Sequence, residues 1–360
     1  MEQGILESDI LPDIFYELSD IIAKGGYGCV VEGTMIFPEG KKKVALKFLS
    51  EKNGRKVKNM FSELLKNTYP ECRYSNLSCL IDVLELGEEW KKLPYNGLTD
   101  ILFSDISKKN DRRISVLVYE LLTPFFETIF ETSEELLSTM FKCLVAVAEL
   151  HSLGLAHQDI HAGNFLKNEK ENSIVLADLD DVCNDENRCC FYGYVNYLSP
   201  SKFLKYMEFL KTKEKTCESL EEAMKTDIWA LGMTFIRFAK NASRGVRDFF
   251  IRMEYRYKKG IYPVLNQEDV DNYLTTEVFN RNTDILVSKI IFSMLRIEGR
   301  PSAKECLVTF FPEKSSRLLF LSNFESQWNV PDFKISKDFP EPFETEDISE
   351  EDTFVTYAVM

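Results

Sequence analysis

The chain has 360 residues, of which 44% are hydrophobic and 28% charged, and its formal net charge is −14. This length and composition suit a globular protein with a large core and room for two lobes. The acidic balance argues against bulk binding to nucleic acid or to an anionic membrane. The first residues lack the order of a signal peptide, and no stretch is apolar enough for a transmembrane helix.

Nine cysteines are scattered along the chain, and only three histidines are present. Only Cys189 and Cys190 are adjacent, and no C-x-x-C pair occurs. This pattern is typical neither of a disulfide framework nor of a zinc site. We therefore expect reduced thiols and a cytoplasmic protein.

Strands dominate the predicted elements of the N-terminal part. Alternating apolar and polar residues predict three antiparallel strands, with glycines between the first two: Leu18–Ala23, Cys29–Gly33 and Val44–Leu49. Apolar residues in 55–67 recur at helical spacing and predict an amphipathic helix. Two more strands are predicted at 80–86 and 114–122, with a polar surface loop between them.

Helices dominate the pattern after Thr123 and Pro124. One begins at Ser133 and ends at Gly154, and three later helical segments include Trp229, residues 249–257 and residues 285–297. The stretch 338–352 is acidic, lacks Lys and Arg, and is predicted to be a disordered tail.

A glycine-rich turn joins the first two predicted strands, at Ala23-Lys24-Gly25-Gly26-Tyr27-Gly28. Such a turn lets backbone N–H groups approach phosphate oxygens without interference from Cβ atoms. By itself it also fits an ordinary hairpin turn.

Lys47 stands in an otherwise apolar strand, and Glu63 lies beside the apolar stripe of the following helix. Packing of that helix on the sheet would pair Glu63 with Lys47 and hold the ammonium against nucleotide phosphates. Taken singly, each residue fits a solvated surface equally well.

The segment His157-Gln158-Asp159-Ile160-His161-Ala162-Gly163-Asn164 precedes an apolar run that ends at Asp178. Asp159 and Asn164 are five residues apart, and Asp178 supplies a second carboxylate. One carboxylate would orient a hydroxyl, while the Asn and the other Asp would hold Mg²⁺. The pattern indicates metal-assisted phosphoryl transfer.

In this order, the motifs resemble the eukaryotic-type protein kinase family. Further matches follow downstream, at Gly193–Ser201, Asp227–Gly232 and Met294–Ala303. The resemblance implies an α+β, bilobal protein kinase-like fold with a β-rich N-lobe and a mainly helical C-lobe. Its implied boundaries are an N-terminal segment 1–14, a kinase-like domain 15–312 (N-lobe 15–122, C-lobe 123–312) and a C-terminal extension 313–360.

The resemblance also implies the substrates ATP and a protein hydroxyl, with Mg²⁺, or alternatively Mn²⁺, as the metal. It implies four catalytic residues: Asp159, Lys47, Glu63 and His161. Asn164 and Asp178 would bind the metal. The implied nucleotide-binding residues are Ala23, Gly25, Gly26, Tyr27, Gly28, Val30, Ala45, Lys47, Glu120 and Leu122. Tyr119 would be the gatekeeper, and Asp227 would brace the catalytic loop through backbone N–H groups.

Two residues inside the catalytic segment depart from the family pattern. Gln158 replaces an Arg that normally pairs with a phosphorylated activation segment, so we expect activation without phosphorylation there. His161 replaces a Lys that steadies the γ-phosphoryl group, and a neutral imidazole would donate one hydrogen bond instead.

Other departures lie downstream. Asp180 replaces a glycine, and Ser201 replaces the Glu that normally pairs with the Arg matched by Arg300. We expect another acidic partner for Arg300, or an exposed guanidinium. The insertion 211–222 is predicted to be a solvated segment or a docking element.

Three functions follow from these residues. The leading hypothesis is a protein kinase acting on serine or threonine, with an unidentified protein substrate and an oligomeric state that the sequence does not reveal. One alternative is a small-molecule phosphotransferase of the aminoglycoside and choline kinase type, which Asp159-x-His161-x-x-Asn164 and Asp178-x-Asp180 resemble. The other is an ATP-binding pseudokinase or scaffold. The acidic tail resembles export signals of secreted bacterial effectors, which would place the protein in a host cytoplasm, or is an ordinary acidic tail.

Overall fold

The computed structural model describes residues 5–8, 11–24, 28–64, 76–93, 113–125, 130–184, 193–240, 243–279, 283–316 and 318. For residues 59–64 it describes the helical backbone alone. The predicted acidic tail at 338–352 lies outside these ranges.

Six antiparallel strands form the main sheet in the order β1-β2-β3-β4-β6-β5. Their bounds are β1 (Ile5–Glu7), β2 (Phe15–Lys24), β3 (Gly28–Phe37), β4 (Gly40–Ser50), β5 (Leu80–Leu86) and β6 (Ile114–Glu120). The five predicted strands are confirmed, and the first three are longer than expected. Gly28 opens β3 where an added Cβ would lie 2.2 Å from the Phe48 carbonyl oxygen, so only glycine permits this close pairing with β4.

Helix α1 (Glu51–Leu64) follows β4 directly and packs on β4, β5 and β6. The helix predicted at 55–67 is therefore confirmed, and it begins four residues earlier than the apolar spacing indicated. Val57 is fully buried against the sheet. This packing places α1 beside the strand that carries Lys47.

Helices make up most of the C-terminal part of the described chain. They are α2 (Ser133–Ser152), α3 (Pro200–Thr212), α4 (Leu220–Lys240), α5 (Ser243–Lys258), α6 (Gln267–Tyr273), α7 (Ile285–Met294), α8 (Ala303–Phe310) and α9 (Pro312–Ser315). Helix α2 begins with a capping box in which Thr132 and Glu135 bond reciprocally, and Gly154 follows its end with a φ of +72°. The predicted helical segments are confirmed.

A second, three-stranded sheet positions the catalytic segment. Strand β7 (Thr123–Pro124) pairs with β8 (Phe165–Asn168), which pairs with β9 (Ser173–Leu176). Residues 157–164 lie between α2 and β8, and Asp178 follows β9. The hairpin of β8 and β9 therefore brings these two segments together.

Two main cores stabilise the fold, and the larger one includes Leu49, Val83 and Leu117 of the sheet as well as the helices. Tyr16, Phe48 and Leu46 lie in the core of the main sheet. Trp229 and Phe203 lie in the larger core, which surrounds α2 and α4. The α+β fold class, with a β-rich N-terminal part and a mainly helical C-terminal part, is confirmed. In the described part of the chain, no helix is long and apolar enough to cross a membrane.

The cysteines differ from the sequence-based expectation. Cys79, Cys183 and Cys217 are disulfide-bonded, so the prediction of reduced thiols is wrong for these three. Within the described ranges, the free cysteines are buried: Cys29, Cys143 and Cys306. The prediction of reduced thiols rested on spacing in the sequence. Disulfide bonds depend instead on which cysteines the fold brings close together.

Candidate active site

Asp227 of α4 is 1% exposed and anchors residues 157–164, the predicted catalytic segment. Its carboxylate accepts hydrogen bonds from the backbone N–H groups of His157 (2.7 Å) and Gln158 (2.8 Å), and Nε2 of His151 lies 3.0 Å away. Burial raises the pKa of Asp227, but the interactions with His151 outweigh it and hold this pKa below its usual value. The predicted bracing contact is confirmed.

The imidazole of His157 links the catalytic segment to the strand end that carries Asp178. Its Nδ1 accepts from the backbone N–H of Asp159 (3.2 Å), so the proton lies on Nε2, which donates to the Ala177 carbonyl (2.9 Å). His157 is fully buried. It therefore fixes Asp159 and Asp178 relative to each other.

Asn164 makes a second link between the same two segments. Its Nδ2 donates to the Asp159 carbonyl (2.8 Å), and its own carbonyl accepts from the N–H of Ala177 (2.8 Å). The amide oxygen is not used in either bond. The structure thus brings Asp159, Asn164 and Asp178 together, as the sequence spacing predicted.

Asp159 faces the segment that follows the activation region. Its Oδ1 accepts from the backbone N–H of Tyr194 at 2.7 Å, and about a quarter of its side chain is exposed. Gly193 has a φ of +64°, and an added Cβ would lie 2.3 Å from the Gln158 carbonyl oxygen and 3.0 Å from Asp159 Oδ1. Glycine is required here by both conformation and space. Gly193–Ser201 matches a motif of the family, but its contact with Asp159 was not predicted from the sequence.

His161 lies beside Asp159, with its Nε2 3.8 Å from Asp159 Oδ2. Its Nδ1 accepts from the N–H of Gly163 (3.0 Å), which leaves the proton on Nε2. Burial lowers the pKa of His161, and Asp159 only partly counters this. The ring is therefore a neutral donor that faces Asp159. The rings of His161, Tyr194 and Tyr197 form a cluster with centroids 5.6 to 5.9 Å apart.

Lys47 of β4 reaches across to the end of β9. Its Nζ lies 2.6 Å from Asp178 Oδ1 and 2.6 Å from Asp180 Oδ2. Burial lowers the pKa of Lys47, but the two carboxylates outweigh it and raise this pKa above its usual value. Burial raises the pKa of Asp178 as well, but Lys47, His157 and His161 together outweigh it and hold this pKa below its usual value. The contact between Asp180 and Lys47 was not predicted from the sequence.

The residues predicted to contact adenine lie on neighbouring strands around Lys47. In the sheet register, Val30 pairs with both Ala23 and Lys47, and Ala45 pairs with Tyr119. Burial raises the pKa of Tyr119, and the carboxylates of Asp180 and Asp178 raise it further, so the predicted gatekeeper lies within electrostatic reach of them.

Several predicted positions have other surroundings or none described. The Glu120 side chain pairs with Lys42 at 3.1 Å, and its backbone lies opposite Val44 in the sheet, so the expected contact with adenine stays a prediction. Leu122 follows β6 in the connection to β7. Residues 25–27 lie outside the described residues, and so does the Glu63 side chain. The contact of Glu63 with Lys47 stays a prediction.

The expectation of another acidic partner for Arg300 is met only electrostatically, by Glu218, because the hydrogen bonds of Arg300 go to backbone carbonyls. Its NH1 donates to the Lys225 carbonyl (2.7 Å), its Nε donates to the Arg296 carbonyl (2.9 Å), and the guanidinium lies 5.0 Å from the Trp229 ring centre. Glu218 acts on it electrostatically. Glu218 is buried near Lys202, at 3.8 Å, and Lys205, at 3.4 Å. Part of the insertion 211–222 is thus a structural element and is not solvated.

A model of the protein kinase domain matches residues 16–307 of this chain. The chain belongs to the protein kinase domain family. It is also similar to serine/threonine-protein kinase WNG2 of Toxoplasma gondii, with 28% identity over 134 residues. Those residues are 37% of this chain and 23% of the relative, so the match spans about a quarter of the relative's length.

Proposed function

We propose that this chain is an ATP-dependent protein kinase that phosphorylates serine or threonine hydroxyls of an unidentified protein. One observation carries the proposal: hydrogen bonds link Asp159 to Asn164 and hold both beside Ala177, the neighbour of Asp178, and Lys47 reaches Asp178 from the sheet. The similarity to a serine/threonine kinase supports the acceptor class.

The residues present fit a divalent cation. The Asp178 carboxylate and the Asn164 amide oxygen are hard oxygen ligands of the kind that Mg²⁺ prefers, and Mn²⁺ accepts the same ligands. Asp180 Oδ1 is buried without a hydrogen-bond partner, so the cleft also has an unused oxygen. When bound, the cation would neutralise charge on the phosphates.

In this mechanism, Asp159 orients the acceptor hydroxyl and takes its proton as the oxygen attacks the γ-phosphorus. The bond from the γ-phosphorus to its bridging oxygen breaks, and ADP leaves with that electron pair. Lys47 holds the nucleotide phosphates, and positioning supplies most of the catalysis. The Tyr194 N–H bond fixes the Asp159 carboxylate, so little reorganisation is needed.

His161 donates from Nε2 toward the transferred phosphoryl group. A neutral donor provides one hydrogen bond where the family usually provides a full positive charge. We expect slower transfer than in kinases with Lys at this position, because charge-assisted bonds are about twice as strong.

The test is phosphoryl transfer from ATP, followed by intact mass spectrometry on protein acceptors and on small-molecule alcohols. We expect the protein acceptor to gain the mass of a phosphoryl group on serine or threonine. This gain should be absent with the Asp178→Asn variant. Transfer to alcohols alone would establish the small-molecule alternative. Binding of Mg·ATP without any transfer would establish the pseudokinase alternative.

We propose an oxidising compartment as the place of action, which replaces the cytoplasmic expectation. The support is the disulfide bonding of Cys79, Cys183 and Cys217, because disulfides persist mainly in secreted or extracytoplasmic proteins. Quantitative recovery of all three as free thiols from the native source would refute this location.

A further inference from the structure

The ammonium of Lys47 is held by two carboxylates at equal distance, 2.6 Å from Asp178 and 2.6 Å from Asp180. The Lys47 and Asp180 side chains are partly buried, at 17% and 16% exposure, and the Asp178 side chain is 44% exposed. In the proposed function, this same ammonium must bind the nucleotide phosphates. Phosphate oxygens therefore compete with both carboxylates for one cation.

Asp180 has little else to hold it. Its Oδ2 bonds to Lys47, while its Oδ1 is buried without a hydrogen-bond partner. The backbone fixes its place, because Leu179 is buried and Asp178 has a left-handed conformation with a φ of +58°. The carboxylate thus points at Lys47 from a rigid turn.

The charges near Lys47 disfavour a bare polyphosphate. Lys47 carries one positive charge, and Asp178 and Asp180 carry one negative charge each when ionised, so the three together sum to −1. An approaching polyphosphate meets this excess at short range and low dielectric, where repulsion is strong. A divalent cation held by the two carboxylates would reverse the sign of this sum and leave Lys47 available to the phosphates.

We propose that Asp180 is a specificity residue that makes nucleotide binding depend on a divalent cation. The inference rests on the proposed function, because it concerns the same nucleotide site. By linkage, the nucleotide must raise the affinity for the cation by the same factor that the cation raises the affinity for the nucleotide. Glycine at this position, which the family pattern has, would leave the coupling through Asp178 and lack the contribution of the second carboxylate.

The experiment measures the Kd of a non-hydrolysable ATP analogue by calorimetry, in excess Mg²⁺ and in EDTA. The Kd in EDTA is divided by the Kd in Mg²⁺, and this ratio is compared for the full chain, Asp180→Asn and Asp180→Gly. Asp181→Asn is the matched control, because it removes the same charge one residue further on, and Lys47 pairs with Asp178 and Asp180 but not with Asp181 among the described residues. Thermal unfolding checks that each variant folds.

We expect both Asp180 variants to tighten binding in EDTA, and to reduce the ratio, by about tenfold or more. Asp181→Asn should change the ratio far less, because Asp181 acts on Asp180 electrostatically but makes no ion pair with Lys47 among the described residues. Equal ratios in the Asp180 variants and the unchanged protein would overturn the inference and leave the proposed function intact. Failure to bind with Mg²⁺ present would overturn both. An Asp180 effect without phosphoryl transfer would support the inference and refute the proposed catalysis.

Discussion

Replacing Asp227 by alanine is predicted to destabilise the fold by about 4 kcal/mol, because the change strands buried donors. The carboxylate is 1% exposed and accepts two backbone N–H bonds of 2.7 and 2.8 Å. Each unpaired buried donor costs about 1–3 kcal/mol, which gives about 2–6 kcal/mol for the pair. Asp227→Asn keeps one acceptor oxygen and should cost about half as much.

The assay is urea unfolding followed by circular dichroism. Because the pKa of Asp227 is lowered in the fold, its contribution is complete at neutral pH and is lost only as the pH falls below the ordinary value of 3.8. The loss should therefore be the same at pH 7 and pH 5. Glu221→Ala is the control on the same helix, since its pair with Lys225 is exposed and is worth below about 0.5 kcal/mol.

A loss below about 1 kcal/mol for Asp227→Ala would refute this reasoning, since it would mean that water or another group satisfies the two donors. A loss equal to that of Glu221→Ala would have the same meaning. Large losses at pH 7 with normal phosphoryl transfer would show that the loop keeps its geometry without Asp227.

Three other predictions concern groups around Asp159 and the cysteines. Gly193→Ala should lower the turnover at least about tenfold with a folded protein, because its Cβ would lie 2.3 Å from the Gln158 carbonyl oxygen; an unchanged rate would contradict the described approach. His161→Leu should slow transfer about 10- to 100-fold, and His161→Gln less, because an amide still donates; equal rates for both would argue against a donor role. In mapping without reductant, iodoacetamide should not label the three disulfide-bonded cysteines. It should label the three buried free cysteines only after denaturation, because burial raises the pKa of their thiols, to about 11 for Cys29. Rapid labelling of these three in the folded protein would refute their burial.

Much of the framework followed from local patterns. Alternation located β2 to β4 because these strands bury one face, and the helical spacing of 55–67 located α1. The placement of Asp227 followed from the motif that it begins. Such features depend on residues near one another in the chain, so the sequence contains them directly.

Long-range contacts were less accessible. Lys47 and Asp180 are 133 residues apart, and only the fold shows that both carboxylates of Asp178-x-Asp180 reach one ammonium. Gly193 is required because of a carbonyl 35 positions earlier in the chain, at Gln158. Arg300 donates hydrogen bonds to backbone carbonyls, and its guanidinium lies over the Trp229 ring; neither contact was predicted from the sequence.

The central claim is that this cleft transfers the γ-phosphoryl group of ATP with Asp159 as the residue that receives the hydroxyl proton. The direct measurement is the single-turnover rate of transfer to a protein acceptor, for the unchanged chain and for Asp159→Asn, with Asp181→Asn as the control. We predict transfer that falls by at least about a hundredfold in Asp159→Asn and changes little in the control. Equal rates in the unchanged chain and Asp159→Asn would contradict the mechanism.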